Sequence, residues 1–308
     1  MSSLHLETRD VEDEKGRKAL ERFRIEEVDL GAPALFDAAY GALDAEFGPR
    51  GELERRSVIE GWLRAPPDRT YHLLVARENQ TGSGAARLAA VRDCHVSVDL
   101  EARAVVAYLA HVVVMPEHRR SGLASIMRAA PLALAREALK RAGPSTKGDL
   151  LLAAEMDPAD PDVEGSIVRL VAYGRAGFAA IDPSCLPYCQ PDFRELATLS
   201  QAVHCEVPPR PLPMLAVVRW VGHEGAPCLP KRFAEAFVRN LYAVFATHCR
   251  PEDLAEPRAH ALAALAAHPA VEVPLLPLPK NKDDADALRP LLREHVLPHH
   301  STRAQRGS

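Results

Sequence analysis

The segment spanning residues 105–124 restricts the fold of this chain more than any other part of the sequence. A strand-like run ends in three consecutive valines, and Pro116 stops it because proline has no N–H group for a β-ladder. From Leu123 onward, apolar residues return at helical spacing, which predicts a helix over 125–140. A strand that enters a helix through a short turn is typical of folds that mix strands and helices.

The turn between this strand and this helix has the composition of an anion-binding site. Gly122 has no Cβ, so a phosphate can approach its backbone closely, and Arg119 and Arg120 add positive charge. The first N–H groups of a helix have no acceptor within the helix and lie at the positive end of its dipole. The pattern therefore predicts that this turn holds a pyrophosphate group.

Two segments, in this order along the chain, resemble motifs of the GNAT superfamily of acyl-CoA-dependent N-acyltransferases. They are Arg119-x-x-Gly122-x-Ala124 and Tyr173-x-x-x-Gly177-Phe178. The first is similar to the cofactor loop of that superfamily, and the second to the end of its fourth helix. The resemblance implies an α/β (α+β) fold with a mixed, mainly antiparallel twisted sheet flanked by helices, and acetyl-CoA as the acyl donor.

The resemblance also implies a role for each matching residue. The backbone of the three valines would pair with the pantetheine arm, and N–H groups of the turn would hold the pyrophosphate. Ser166 takes the place of an asparagine that contacts the cofactor, and Tyr173 would act as the general acid for the departing thiolate. The implied cofactor-binding residues are Val112, Val113, Val114, Arg119, Arg120, Ser121, Gly122, Leu123, Ala124, Ser125 and Ser166.

The resemblance leaves the general base open, because Ala110 stands where many members of the superfamily carry a glutamate. His111 and Glu155 are the catalytic candidates, and an acceptor amine that is already neutral needs no base. We expect an N-acetyltransferase that acts on a primary amine of a small molecule or peptide. The alternative is a module that binds acyl-CoA and performs no chemistry.

Hydrophobic periodicity predicts three parts of the chain. Residues 1–22 are rich in charge and have no periodic apolar face, which predicts a mobile arm. Residues 23–221 are predicted to form an acyltransferase domain, and residues 222–308 a helical extension. Pro131 predicts a kink in the helix over 125–140, and Pro257 a break in a helix over 254–268. The other predicted elements are strands over 23–28, 71–77, 86–98, 105–114, 150–155 and 214–221, and helices over 34–47, 52–63 and 283–295.

Two further segments each have two interpretations. The proline-rich segment 183–213 either shapes acceptor specificity or crosses the sheet edge as a structural loop. The apolar helical stripe from Phe233 to Phe245 belongs either to the core or to a homodimer interface.

Composition bounds the partners and the compartment. The net charge is −4, which gives no reason to expect a nucleic-acid partner. No run of about 20 apolar residues is present, so no membrane partner is expected, and the charged amino end predicts a cytoplasmic protein. The six cysteines show neither a disulfide framework nor the spacing of a zinc site, so no metal is expected.

Overall fold

The computed structural model describes residues 2–50, 52–64, 70–79, 87–143, 148–157, 166–191, 211–281 and 283–284. The chain forms two units, the first from residues 1–98 and 105–152 and the second from residues 99–104 and 153–308. The predicted helix over 283–295 and most of the proline-rich segment 183–213 lie outside the described residues.

The first unit is a β-sheet with four helices in its described part. Its elements are β1 (Ser2–Leu4), α1 (Glu14–Arg22), β2 (Phe23–Val28), α2 (Pro33–Phe47), α3 (Arg56–Leu63), β3 (Tyr71–Glu78), β4 (Leu88–Asp99), β5 (Ala104–Val114), α4 (Leu123–Arg141) and the first half of β6 (Asp149–Met156). The strand order is β1-β2-β3-β4-β5. The pairs β1–β2, β2–β3 and β3–β4 are antiparallel.

The second unit also combines strands and helices. After the second half of β6 it contains α5 (Ser166–Arg175), β7 (Ala179–Ile181), β8 (Cys189–Gln190), β9 (Leu212–Pro213), β10 (Leu215–Trp220), β11 (Cys228–Pro230), α6 (Lys231–Phe245), α7 (Pro251–Ala267) and β12 (Glu272–Pro277). The strand order is β10-β7-β12-β11, all antiparallel, and β8 pairs with β9. The predicted fold class, a mixed α/β fold with mainly antiparallel strands and flanking helices, is confirmed.

Helices α2 and α3 cover alternate residues of β3 and β4, as expected for strands with one face on a core. Phe36 and Ile59 of these helices pack with Tyr71, Leu73 and Val91 of the strands, and all five side chains are buried. Val91 of β4 and Val113 of β5 belong to this cluster, so the side chains on this face of both strands lie under α2, α3 and the connection between them.

The amino-terminal segment differs from the predicted mobile arm. β1 pairs with β2, and α1 packs along α4. Its acidic residues, which suggested a solvated segment, are partners of the arginines on α4: Arg136 pairs with Asp10 and Arg128 pairs with Glu12. Charge patterning alone does not show that opposite charges 116 or more residues apart meet.

Both prolines lie inside helices that continue past them. α4 runs from Leu123 to Arg141 through Pro131, in agreement with one helix rather than two. The break predicted at Pro257 is wrong, because α7 runs through this residue. Leu254, Pro257 and Leu265 are buried on one side of α7, which packs against α6. This burial offsets the cost of about 3 kcal/mol that a proline imposes inside a helix through its missing N–H group and its ring.

The carboxy-terminal region is more than a helical extension. Its strands β11 and β12 join the sheet of the second unit, where β12 pairs with β7. Phe233, Phe237 and Phe245 of the predicted apolar stripe are each at most 1% exposed, so these rings belong to the core of this unit. Among the described helices, none combines the length and apolarity needed to cross a membrane.

Candidate functional site

The turn after β5 has an unusual backbone. A 3-10 turn over Pro116–His118 follows the strand, then Arg120 adopts a φ of 65° and Gly122 a φ of 92° before α4 begins. A positive φ is uncommon at a residue with a side chain and costs about 1–3 kcal/mol. Buried His118 anchors the turn, since its ring packs edge-on against Phe23 at 5.6 Å and its carbonyl accepts from Ser121 Oγ at 2.6 Å. The loop is therefore a fixed shape that leads directly into a helix N-terminus.

The basic side chains of this loop extend into solvent. Arg119, Arg120 and Ala124 are exposed, and Val112 to Val114 are only partly buried. The side chain of Leu123 points into the core. The exposed arginines, the partly open strand end and the N-terminus of a 19-residue helix together can bind an anionic ligand.

The start of α1, with its N-cap Asp13, packs against the N-terminus of α4. Ser125 Oγ donates to Asp13, whose other oxygen accepts from the Gly16 N–H at 2.6 Å. Burial alone would raise the pKa of Asp13, but these hydrogen bonds and the charges of nearby arginines lower it. A Cβ on Gly122 would lie 2.4 Å from the carbonyl oxygen of Lys15.

These contacts change the interpretation of two predicted cofactor residues. The Ser125 side chain is buried and bonded to Asp13, and the Ser125 N–H donates to the Gly122 carbonyl at 3.1 Å. Gly122 is required by its positive φ and by its contact with Lys15, independently of any phosphate. The binding capacity of the loop therefore resides in residues 119–124, ahead of Ser125.

His111 lies in a buried polar cluster under the α2–α3 connection. Its Nδ1 is 3.1 Å from Asp93 Oδ2, its own N–H donates to Asp93 Oδ1 at 2.7 Å, and its Nε2 is 2.9 Å from the Glu52 carbonyl oxygen. The Tyr71 hydroxyl donates to Asp93 at 3.2 Å. Glu54 also belongs to this cluster: one carboxylate oxygen each from Glu54 and Asp93 and one ring nitrogen of His111 lie within 4.8 Å of one another.

The hydrogen bonds fix the protonation state of His111. Both ring nitrogens face oxygen atoms that accept, a carboxylate and a carbonyl, so both carry a proton. Burial alone would lower the pKa of His111, but the Asp93 carboxylate outweighs this effect and raises it from 6.5 to about 9. In this protonated form the ring has no lone pair to accept a proton, and the role of His111 as general base stays a prediction.

Glu155, the other candidate base, is also bound by donors. In the second unit its carboxylate accepts from the Tyr188 hydroxyl at 2.6 Å and from Gln190 Nε2. Hydrogen bonds to the ionised form of a carboxylate make it a weaker proton acceptor. Glu155 therefore serves first as the anchor of the segment that contains Tyr188 and Gln190.

Tyr173 lies near the end of α5 in the second unit. Its ring is 8% exposed and meets Phe178 edge-on, with 4.8 Å between ring centroids. Gly177 has a φ of 81° and terminates the helix, and the Phe178 N–H donates to the Tyr173 carbonyl at 3.1 Å. The tyrosine, glycine and phenylalanine of this motif thus also form a well-packed helix end.

Ser166, the last predicted cofactor residue, begins α5. Its side chain lies outside the described part of the chain, so its predicted contact stays a prediction.

Asp93 and Glu54 are the main site residues that sequence reasoning missed. Asp93 follows Arg92 in the middle of a predicted strand, after the apolar run from Leu88 to Val91, and a charged side chain that is buried there needs a partner. That signal was present in the sequence. Its partner could not be identified there, because His111 is 18 residues away and Glu54 belongs to a connection without periodicity.

Comparisons with known proteins give structural neighbours only. No protein-family model and no curated protein sequence matches the chain. Three of the similar solved structures are the ribosomal-protein-S18-alanine N-acetyltransferase from Escherichia coli, Arabidopsis thaliana NAA60 in complex with acetyl-CoA, and an aminoglycoside acetyltransferase from an uncultured soil metagenomic sample.

The first has 16% identity and a TM-score of 0.36, and the match covers 66% of this chain and 97% of that protein. The second has 10% identity and a TM-score of 0.36, with 65% and 98% covered. The third has 12% identity and a TM-score of 0.33, with 46% and 82% covered. Values this low assign neither a family nor a function.

Proposed function

We propose that this protein is an acyl-CoA-dependent N-acyltransferase that moves an acetyl group from acetyl-CoA to a primary amine of a small molecule or peptide. The observation that carries the proposal is the loop at residues 119–124. It combines the motif resemblance with a strained backbone, two exposed arginines and the N-terminus of a long helix.

The residues of the first unit fit the anionic part of such a substrate. Arg119 and Arg120 supply charge for a pyrophosphate, and the first N–H groups of α4 supply donors aimed along the helix axis. The residues Val112 to Val114 at the end of β5 are only partly buried, which is compatible with the backbone pairing to a pantetheine arm that the resemblance implies. Ser125 supports the loop through Asp13 instead of contacting the substrate.

The proposed chemistry is direct transfer. The amine nitrogen attacks the thioester carbonyl carbon, a C–N bond forms, the C–S bond breaks, and the leaving thiolate takes a proton from Tyr173. The acylated nitrogen loses its surplus proton, which returns through water to the Tyr173 phenolate and leaves a neutral amide and a free thiol. The role of Tyr173 rests on the motif resemblance. Since His111 is protonated and Glu155 is bonded to two donors, the amine enters as the neutral free base. The rate should therefore increase with pH up to the pKa of the acceptor amine.

The test is thermal unfolding with acetyl-CoA, CoA or ATP, followed by turnover. Acetyl-CoA and CoA at about 100 times their dissociation constant should each add about 2.7 kcal/mol of stability, and ATP should add less. Replacing Arg119 and Arg120 by alanine should abolish this shift, while Tyr173→Phe should keep the shift and slow thiol release on the order of 100-fold. No shift with either thioester or thiol refutes the proposed cofactor.

A second candidate is an acyl-CoA-binding module without chemistry. The observation that favours it is the engagement of both candidate bases, together with Ala110 at the position of the usual glutamate. This candidate predicts the same thermal shift, but no thiol release with any amine at any pH and no effect of Tyr173→Phe.

A further inference from the structure

A cysteine and a histidine meet at a surface of the second unit, in a place that the proposed acyltransfer does not use. Asp182 follows β7 and shapes a tight turn: its side chain accepts from the Ser184 N–H at 2.8 Å, and its carbonyl accepts from the Cys185 N–H at 2.9 Å. The turn is tied to β12 by the Asp182 N–H, which donates to the Pro274 carbonyl at 3.1 Å. Cys185 is therefore held rigidly, with its side chain partly exposed.

His268 faces this cysteine from the end of α7. Its N–H donates to the Ala264 carbonyl at 3.1 Å, and its carbonyl accepts from Lys231 Nζ at 3.0 Å, so its backbone is fixed from two sides. Its Nδ1 lies 3.7 Å from Cys185 Sγ. Its ring is partly exposed.

The remaining contact of His268 fixes its tautomer. Nε2 is 3.0 Å from the carbonyl oxygen of Glu272, which can only accept a hydrogen bond, so Nε2 carries the proton. In the neutral ring Nδ1 then has the lone pair, and this lone pair faces the thiol of Cys185. A nucleophile, a base and a group that orients the base are thus arranged as in nucleophilic catalysis.

We propose that Cys185 and His268 form a nucleophilic dyad that accepts an acyl group from an acyl thioester. Sγ attacks the thioester carbonyl carbon while its proton moves to Nδ1 of His268. A new C–S bond to Cys185 forms, the C–S bond to the leaving thiol breaks, and the leaving thiolate takes the proton back from His268. No oxidant is needed, and Cys185 ends as an S-acyl cysteine.

The environment of the thiol favours this mechanism over a preformed thiolate. Burial, assisted by the Asp182 carboxylate, raises the pKa of Cys185 above its ordinary value of 9.0, although a contact with Ser184 lowers it in part. A neutral thiol of this kind needs a base to take its proton during attack. Acyl thioesters suit such a thiol as substrates, because the reaction replaces one C–S bond by another.

The test uses a small acetyl thioester without the nucleotide part of CoA, so it does not depend on the loop at residues 119–124. Intact-protein mass spectrometry should show one acetyl group, removable by neutral hydroxylamine and mapped to Cys185. His268→Gln, which keeps a side-chain donor for Glu272 but has no base, should slow acylation on the order of 100-fold. Cys228→Ala, which removes another partly exposed thiol, should change nothing.

Two controls show whether a loss of acylation comes from the dyad itself. One tests for a structural role of His268, and the other tests whether acetyl-CoA binding is independent of Cys185. Imidazole added to His268→Ala should restore acylation of Cys185, which a merely structural histidine would not allow. Cys185→Ala should keep the thermal shift with acetyl-CoA. Acylation at the wild-type rate in His268→Gln, or acetyl groups spread evenly over the cysteines, overturns the proposal.

Discussion

Replacing His111 by glutamine tests the charged pair at the centre of the first unit. The wild-type ring has a pKa of about 9 in the folded protein, against 6.5 for an unperturbed histidine. This difference corresponds to about 3 kcal/mol at 1.36 kcal/mol per unit. Because the ring is largely buried beside Asp93, which is 0% exposed, solvent screening reduces this value little.

The sign follows from the direction of the shift. A group whose pKa is raised on folding binds protons more tightly in the folded state, so its contribution is complete below pH 6.5 and disappears as the pH rises through 9. His111→Gln removes this titration together with its fixed contacts. The difference in unfolding free energy between wild type and variant should therefore be largest near pH 6 and shrink by about 3 kcal/mol towards pH 9.5.

The assay is urea unfolding of both proteins at constant ionic strength in small pH steps. Groups other than His111 titrate in both proteins and cancel in the difference. Asp93→Asn is the matched control: without the carboxylate, burial should lower the pKa of His111, and the loss of stability between pH 6.5 and 9 should vanish. Parallel curves for wild type and His111→Gln over this range would refute the charged-pair assignment.

Four further substitutions, one of them a control, test individual side-chain environments by the same unfolding assay. Arg92 is fully buried and none of its guanidinium nitrogens has a hydrogen-bond partner among the described residues, so Arg92→Met should stabilise the protein by about 1–4 kcal/mol; a loss of stability would reveal a hidden partner. Gly122→Ala should cost about 2–3 kcal/mol because of its φ and its contact with Lys15, whereas Gly143→Ala, with a φ of 104° and open space, should cost only about 1 kcal/mol. Equal costs would show that the contact is unimportant. Ser125→Ala should cost about 1 kcal/mol of unfolding free energy by removing the hydrogen bond to Asp13, and it should leave the affinity for acetyl-CoA unchanged. Weaker binding of acetyl-CoA by this variant would show that the Ser125 hydroxyl contacts the cofactor.

Local sequence patterns predicted most elements of the first unit. The strand predicted over 105–114 is β5 (Ala104–Val114), and the helix predicted over 34–47 is α2 (Pro33–Phe47). Both have strong signals, a β-branched run and a proline at the helix start. The predicted break at Pro257 failed because the packing of α7 outweighs a local preference.

The candidate site also has one part that the sequence predicts and one part that it does not. The loop at residues 119–124 is recognisable in the sequence because its turn, its charges and its helix start are adjacent along the chain. The protonation state of His111 is not recognisable in the sequence, because it depends on Asp93 and on the carbonyl of Glu52, which come from other parts of the chain. A histidine in a strand has the same sequence signal whether it is neutral or charged.

The sequence by itself determined the order of most helices and strands, the mixed fold class and the basic glycine turn before α4, because these depend on periodicity and on neighbouring residues. Only the tertiary structure decided that the charged amino-terminal segment packs on α4 through Asp13, that both candidate bases are already bonded, and that Cys185 faces His268. Each of these depends on a pair distant in the sequence, and such a pair forms only after the chain has folded around a common core.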